Sequence, residues 1–359
     1  MIKLLRYMEF LFENKESFVI ATIFSTTGSA PRTAGAKMVI RGDGSSLGTV
    51  GGGLLEASVI KKSREVLATR RNSILSFDLT GQTVADMDMI CGGRGDVLLN
   101  FIDGADKTNR LLYQAALEAL EQRHKAWIIT AVDESGSGRS CLVQPNKNII
   151  GNLALDQCLL SKLTSGTEKV AIHSDSSSNY RFLVETLRHS GVVYLFGAGH
   201  VSQSIAPLSN MVGFQTIVLD DRADMANRER FPQPTELVVL KDYHTLPDLP
   251  RGSDNYIVIV TRGHLYDKNV LEWALKTEAA YVGMIASRRK RDAIYAALID
   301  SGFDPDDLAQ VYSPIGLNIG AETPEEIAVS IVGELIKVKS EREKGSNTRS
   351  APAGKGTYE

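Results

Sequence analysis

The chain has 359 residues, 43% of them hydrophobic and 23% charged, with a formal net charge of −3. That length holds two domains and a sizeable core, and the slightly acidic balance argues against nucleic acid as a main partner. No apolar run approaches the roughly 18 residues of a membrane span, and Glu9 and Glu13 break up the first apolar stretch, so it does not read as a secretory signal. Three widely spaced cysteines, Cys91, Cys141 and Cys158, suggest no disulfide framework and a reducing, cytoplasmic compartment.

In chain order, residues 1–17 have helical spacing through Leu4, Leu5, Met8, Leu11 and Phe12. Strands are predicted at 18–24 and 37–41, with Arg32 in the loop between them. Gly48 and the triplet Gly51, Gly52 and Gly53 then open a helix running to about Arg70, with Glu56 in its first turn. Glycine costs backbone entropy unless a turn or a close ligand needs it. The stretch therefore reads either as a backbone cradle for an anion or cofactor or as a tight strand-to-helix packing turn.

Strands at 74–79 and 97–102 flank Cys91, Gly92 and Gly93. Most lone cysteines are small buried hydrophobes, and Cys141 and Cys158 read that way. Glycines beside Cys91 would expose its sulfur and aim N–H groups at a thiolate, the form that binds metals. A helix near 108–123 and strands at 126–132, 140–142, 169–174 and 182–187 complete this half, with turns at 135–138 and 174–179. No internal repeat is evident in the chain.

A domain boundary falls near 189–191, and the following half has a different rhythm. The apolar run 192–196 ends in Gly197-Ala198-Gly199-His200 and enters an amphipathic helix interrupted by Pro207. A second run, 216–219, closes on Asp220, Asp221 and Arg222. Strand, glycine turn, helix, strand and acid is the order of a dinucleotide-binding unit: phosphate at the helix start, acid on a ribose hydroxyl. Ser202 stands where the third glycine belongs. Such a unit also occurs in domains that bind no dinucleotide.

The next strands end in polar groups too. Residues 256–260 lead to Thr261, Arg262, Gly263 and His264, with Asp267 close behind; 280–285 lead to Ser287 and the basic run Arg288, Arg289, Lys290 and Arg291. Ser287 reads as an N-cap, which puts those cations in a first turn where the helix dipole disfavours them. The arrangement makes sense if an anion sits among them, and a solvated charged turn is the alternative. Thr323-Pro324-Glu325-Glu326 caps a final helix whose Ile327, Ile331, Leu335 and Val338 face the core, and a charged, Gly- and Ser-rich tail reads as flexible.

Taken together, these stretches resemble the XdhC/CoxI family. GSAPR (28–32), GTVGGGLLE (48–56) and CGG (91–93) look like its N-terminal signature. GAGH (197–200), DDR (220–222), TRGH (261–264) with Asp267, GMIASRRK (283–290), PIGL (314–317) and TPEEIAVSI (323–331) look like its C-terminal Rossmann domain. Ala286, where the family more often has glycine, and Ser202 depart from the pattern.

The resemblance implies an α/β protein of two domains: an N-terminal mixed-sheet domain over 1–189, a Rossmann-type parallel-sheet domain over 190–339, and a flexible tail over 340–359. It further implies a cytoplasmic, dimeric maturation factor with no complete catalytic constellation of its own. Such a factor binds molybdenum cofactor while a cysteine desulfurase supplies the terminal sulfur, then delivers it to the apoenzyme of xanthine dehydrogenase or a related molybdenum hydroxylase. On that reading the phosphate or pyrophosphate of molybdopterin suits the turn at 197–200 and the helix start at 288–291. Cys91 is the candidate molybdenum contact, with Arg32, Glu56, Arg262 and His264 around the pterin. Two other classes stay open. One is an NAD(P)-dependent oxidoreductase with Asp220 or Asp221 on the ribose; the other is a non-catalytic nucleotide or redox sensor.

Overall fold

The computed structural model describes residues 1–28, 32–78, 93–132, 138–166, 169–174, 181–188, 191–232, 235–249 and 254–343, the side chains of 264, 265 and 343 aside. Internal contacts divide the chain into two compact units, residues 1–189 and 190–359. The turns expected at 135–138 and 174–179, the stretch 189–190 and the tail beyond 343 lie wholly or mostly outside the described residues.

The first unit begins with α1 (Ile2–Glu13), which buries Leu5, Met8, Leu11 and Phe12 on one stripe. Strands β1 (Phe18–Gly28), β2 (Lys37–Arg41) and β3 (Ser46–Gly48) follow, then α2 (Gly53–Thr69), β4 (Ser73–Asp78) and β5 (Gly93–Ile102). The succession then recurs: α3 (Lys107–Glu121), β6 (Ala126–Val132), β7 (Ser140–Val143), β8 (Ile149–Gly151), α4 (Gln157–Thr164), β9 (Val170–Ser174) and β10 (Arg181–Leu187). The two five-stranded sheets have the same order, β3-β2-β1-β5-β4 and β8-β7-β6-β10-β9.

This unit is therefore one topology built twice, a repeat not evident in the sequence. The register agrees in detail. Ile20 faces Asn100 and Ile128 faces Glu185; Thr22 faces Lys37 and Thr130 faces Ser140. A Cβ on Gly48 would lie 2.3 Å from the Lys37 carbonyl, and one on Gly151 2.3 Å from the Ser140 carbonyl. Both sheets are antiparallel in every described pairing, in place of the mixed sheet that the resemblance implies. Short links between β1, β2 and β3, and between their counterparts, permit only antiparallel neighbours; a parallel pair needs a long crossover.

The core of the unit is shared by the copies. Residues of α1 and α3 pack with Phe18, Ile20 and Val39 of the first sheet and Ile128, Leu142 and Leu187 of the second. Phe12 meets Phe18 edge-on at 5.3 Å and stacks on Tyr113. The outer faces carry α2 and α4 respectively. Each fully buried aliphatic or aromatic side chain contributes about 1.5–3 kcal/mol.

The second unit contains β11 (Val192–Phe196), α5 (His200–Met211), β12 (Gln215–Asp220), β13 (Glu236–Val239), β14 (Asn255–Ile259), α6 (His264–Ala274), β15 (Tyr281–Met284), α7 (Arg288–Asp300), α8 (Pro305–Ala309) and α9 (Pro324–Glu343). Its sheet, in the order β13-β12-β11-β14-β15, is parallel throughout. β11 and β14 are buried along their whole length, as strands covered on both faces must be. Two apolar clusters, one headed by Phe196 and Ile257 and the other by Leu195 and Val258, pack the two faces. Glu326 accepts from the Thr323 amide at 3.1 Å while Thr323 Oγ1 accepts from the Glu326 amide at 3.3 Å, closing the capping box of α9. Strand order reverses between β11 and β14, and ligands of such sheets lie at the carboxyl ends beside that point. Among the described residues no helix is long and apolar enough to cross a membrane.

Candidate functional site

At the end of β11, Gly197 has φ +113°, and a Cβ there would stand 2.4 Å from the Val260 carbonyl. The turn is thus pressed against the end of β14, and only glycine fits. Gly199 differs: it caps α5 with φ −74°, and a Cβ on it would meet open space. The buried Ser202 donates to the Gly197 carbonyl at 2.5 Å, so a small hydroxyl takes the place of the third glycine and ties helix to turn.

Asp220, 1% exposed, closes β12 and is fully engaged. Its Oδ2 accepts from the Ala198 amide at 2.7 Å and from Arg222 Nη2 at 3.0 Å; its Oδ1 accepts from the Arg222 amide and Nε. Burial pushes this carboxyl up, but the Arg222 guanidinium and the two amides outweigh it and hold the pKa below the ordinary carboxylate range. Of the two acids that the sequence offers for a ribose hydroxyl, Asp220 is thus engaged inside the protein. Its neighbour Asp221 accepts from Arg262 Nη2 at 2.8 Å, and Arg262 lies over the Tyr266 ring.

Asp267 is wholly buried at the start of α6, where it accepts from Thr261 Oγ1 at 2.6 Å and forms an ion pair with Lys290. Lys290 is therefore a strut between α6 and α7. Ser287 caps α7 by accepting from the Lys290 amide, and Arg291 reaches the Ser313 carbonyl and Asp292. Arg288 and Arg289 are exposed and have no ion-pair or hydrogen-bond partner among the described residues. The expected basic cluster thus divides into two residues held by the fold and two left to solvent. Gly263 and His200, each at a helix start beside the switch point, are open on their outer side and exposed respectively; the His264 side chain lies outside the described residues.

In the first unit Gly51, Gly52 and Gly53 all have positive φ (135°, 80° and 55°), which accounts for three glycines in succession. The loop does cradle an anion, and the anion is Glu56. Its Oε1 accepts from Thr49 Oγ1, from the Val50 amide at 3.2 Å and from the Gly52 amide at 3.0 Å. Burial raises this carboxyl, and the Thr49 hydroxyl with the loop amides lowers it further than that, leaving it below its ordinary value. The equivalent connection in the second copy, 152–156, turns from strand to helix with no glycine, so the topology alone does not demand the triplet. Arg32 is exposed, and Gly93 pairs with Gly28 at the start of β5. Cys91 and Gly92 lie outside the described residues. Burial pushes the Cys141 thiol up to about 12, as for a structural cysteine, while Cys158 is exposed.

Several partners in these sites carried no motif. Arg230, from beyond β12, donates to Gln203 at 2.7 Å and approaches the Ala198 carbonyl at 3.4 Å. The buried Tyr243 stacks on Tyr266 at 4.7 Å beneath Arg262, and its phenol is pushed up by burial and by Asp220 and Asp221.

The family model described as XdhC and CoxI family matches residues 11–78, and that described as XdhC Rossmann domain matches residues 193–335. The chain belongs to the XdhC/CoxI family. The fold agrees: a crystal structure of a xanthine dehydrogenase from Bacillus halodurans superposes with a TM-score of 0.78 at 24% identity, covering 95% of this chain and 97% of that one. A Bacillus subtilis protein named as a probable xanthine dehydrogenase subunit is 26% identical over 92% of this chain and 96% of its own. The molybdenum cofactor insertion chaperone PaoD of Escherichia coli is 22% identical over 91% and 85%. YqeB of E. coli is 26% identical over 90% of this chain, which spans only 44% of that longer protein. In XdhC/CoxI terms, the signature residues sort into those that build the Rossmann edge (Gly197, Asp220, Arg222, Thr261, Asp267, Lys290) and those it presents (Gly199, His200, Arg262, Arg288, Arg289).

Proposed function

We propose that this protein is a molybdenum cofactor chaperone that holds the cofactor during sulfuration and inserts it into xanthine dehydrogenase or a related molybdenum hydroxylase. The observation that carries the reading is the open face of Gly199 at the switch point, with Arg288 and Arg289 exposed at the α7 start. Backbone N–H groups at one helix start and unpaired guanidinium groups at another each suit the phosphate or pyrophosphate of a pterin cofactor. The names of the B. subtilis and PaoD relatives support the same reading. Cys91 is assigned to the molybdenum, a thiolate for a soft metal. The cargo makes the partners an apo-hydroxylase and a cysteine desulfurase, in the cytoplasm, with the chaperone as a homodimer. Of the two acids that the NAD(P) reading offers for a ribose, Asp220 is already committed to Arg222 and Ala198.

The test is the pterin and molybdenum content of protein purified from cofactor-producing cells, for the native chain, Cys91→Ala and Arg288→Gln/Arg289→Gln. Near-stoichiometric pterin that falls in the arginine variant supports the chaperone. Loss of molybdenum in Cys91→Ala supports the thiolate contact. Absence of pterin from the native chain, with NAD(P) bound instead, overturns the reading.

A further inference from the structure

The last helix, α9, is apolar on two faces. Its inward face is committed to the fold: Ala328, Ile331, Leu335 and Val338 are buried in the cluster that also holds Ile205 and Ala206 of α5. On its outward face Val329 is 54% exposed and Ile336 43% exposed, one heptad apart, with Gly333 between them on the same stripe. Leu317 borders that stripe, its side chain 3.1 Å from where a Cβ of Gly333 would stand, and Ile319 just beyond is 53% exposed. Single apolar residues on a surface are ordinary; a row of them along one helix face marks a contact surface. The charges of the helix are sorted along its length. Glu322, Glu325 and Glu326 lie at its amino end, and Lys337, Lys339 and Arg342 against Glu341 in its carboxyl half. Glu325 is exposed, with no hydrogen-bond or ion-pair partner among the described residues, and the Lys339 ammonium lies over the Phe214 ring at 5.2 Å.

We infer that the outward face of α9 docks on the same face of a second copy of this chain, the two helices lying antiparallel about a twofold axis between Val332 and Gly333. The inference rests on the homodimer of the proposed function and gives it a surface. A twofold contact has to be self-complementary, and this stripe is. Turned about that point, Val329 covers Ile336 of the second copy and Ile336 covers its Val329. Glu325 and Lys339, two heptads apart on one flank and nearly equidistant from the axis, each meet the other's counterpart. The acidic amino end then lies on the basic carboxyl half, with the helix dipoles opposed. Gly333 at the centre has no side chain to hold the backbones apart. A parallel pair would set Glu325 on Glu325 and Lys339 on Lys339. An unlike partner requires no such relation between the two ends of the helix.

Sedimentation equilibrium of the full chain tests this, with melting curves confirming that each variant is folded. The native chain is a dimer. Ile336→Glu, counted twice in a twofold contact, weakens association about a hundredfold. Glu325→Lys and Lys339→Glu each weaken it about tenfold at low salt, because like charges then face each other in both pairs. An equimolar mixture of those two variants restores association to near the native strength, since every facing pair is again of opposite sign. A monomeric native chain overturns the inference. So does a dimer unchanged in Ile336→Glu, or a mixture that associates no better than its components. Pterin retained in the purified native chain alongside any of these failures leaves the chaperone reading standing and removes the α9 contact alone. A native dimer that loses association in Ile336→Glu but carries no pterin keeps the contact and removes the chaperone.

Discussion

Asp220 accepts the Ala198 amide at 2.7 Å, so the acid that closes one strand holds the glycine turn that closes its neighbour. The carboxylate is buried, and its pKa is held below the ordinary range chiefly against burial by Arg222. Its stabilisation is therefore fully present above the unfolded value, about 3.9, and lost as pH falls through the lower folded value. Urea unfolding of native and Asp220→Asn protein gives a constant gap above about pH 5 that narrows below pH 4. Asp220→Ala, which leaves Arg222 and the Ala198 amide unsatisfied, costs about 3–5 kcal/mol.

The two glycines of the turn answer differently to one methyl group. Gly197→Ala meets both positive φ and the Val260 carbonyl, and destabilises by about 2–3 kcal/mol. Gly199→Ala has ordinary φ and open space, so its unfolding midpoint stays within error of the native chain while copurified pterin falls.

Glu56 acts as a built-in anion for the loop at 49–52. Glu56→Ala lowers stability by about 1–2 kcal/mol, the scale of a lost helix cap. Glu56→Gln, which keeps an acceptor oxygen, recovers most of it. Phosphate added to Glu56→Ala raises its melting temperature by occupying the emptied cradle, whereas the native chain does not respond at this site; equal responses contradict the prediction.

The order of elements in the second unit is readable from the chain, because a parallel α/β sheet writes each strand as an apolar run and each turn as glycine or acid. The site is readable only as a set of residues. Which of Asp220 and Asp221 is free, and that Lys290 serves Asp267 while Arg288 does not, depends on loop geometry across three strand ends. The repeat of the first unit is hidden in the sequence because few identities survive, Ile20 with Ile128 and Thr22 with Thr130 among them, while the shared features are register and burial.

Lys37 and Glu185 form an ion pair in the interior of the first unit, with Thr22 Oγ1 2.6 Å from the ammonium and Asn100 Oδ1 buried without a partner. Glu185→Ala strands a buried cation and costs about 3–5 kcal/mol, while Lys37→Met/Glu185→Leu lies within about 1 kcal/mol of the native chain or above it. Thermal unfolding of both variants checks the order.

That pair also sets which half goes with which. Lys37 and Glu185 occupy positions that are Ser140 and Asn100 in the other copy. Two first halves brought together would set Lys37 against Asn100 twice, stranding two ammonium groups. Two second halves would set Glu185 against Ser140 twice, stranding two carboxylates. Only unlike halves cancel the charge, so the covalent pseudo-dimer is heterotypic by electrostatics, and a folded first unit carries one glycine-lined loop, never two.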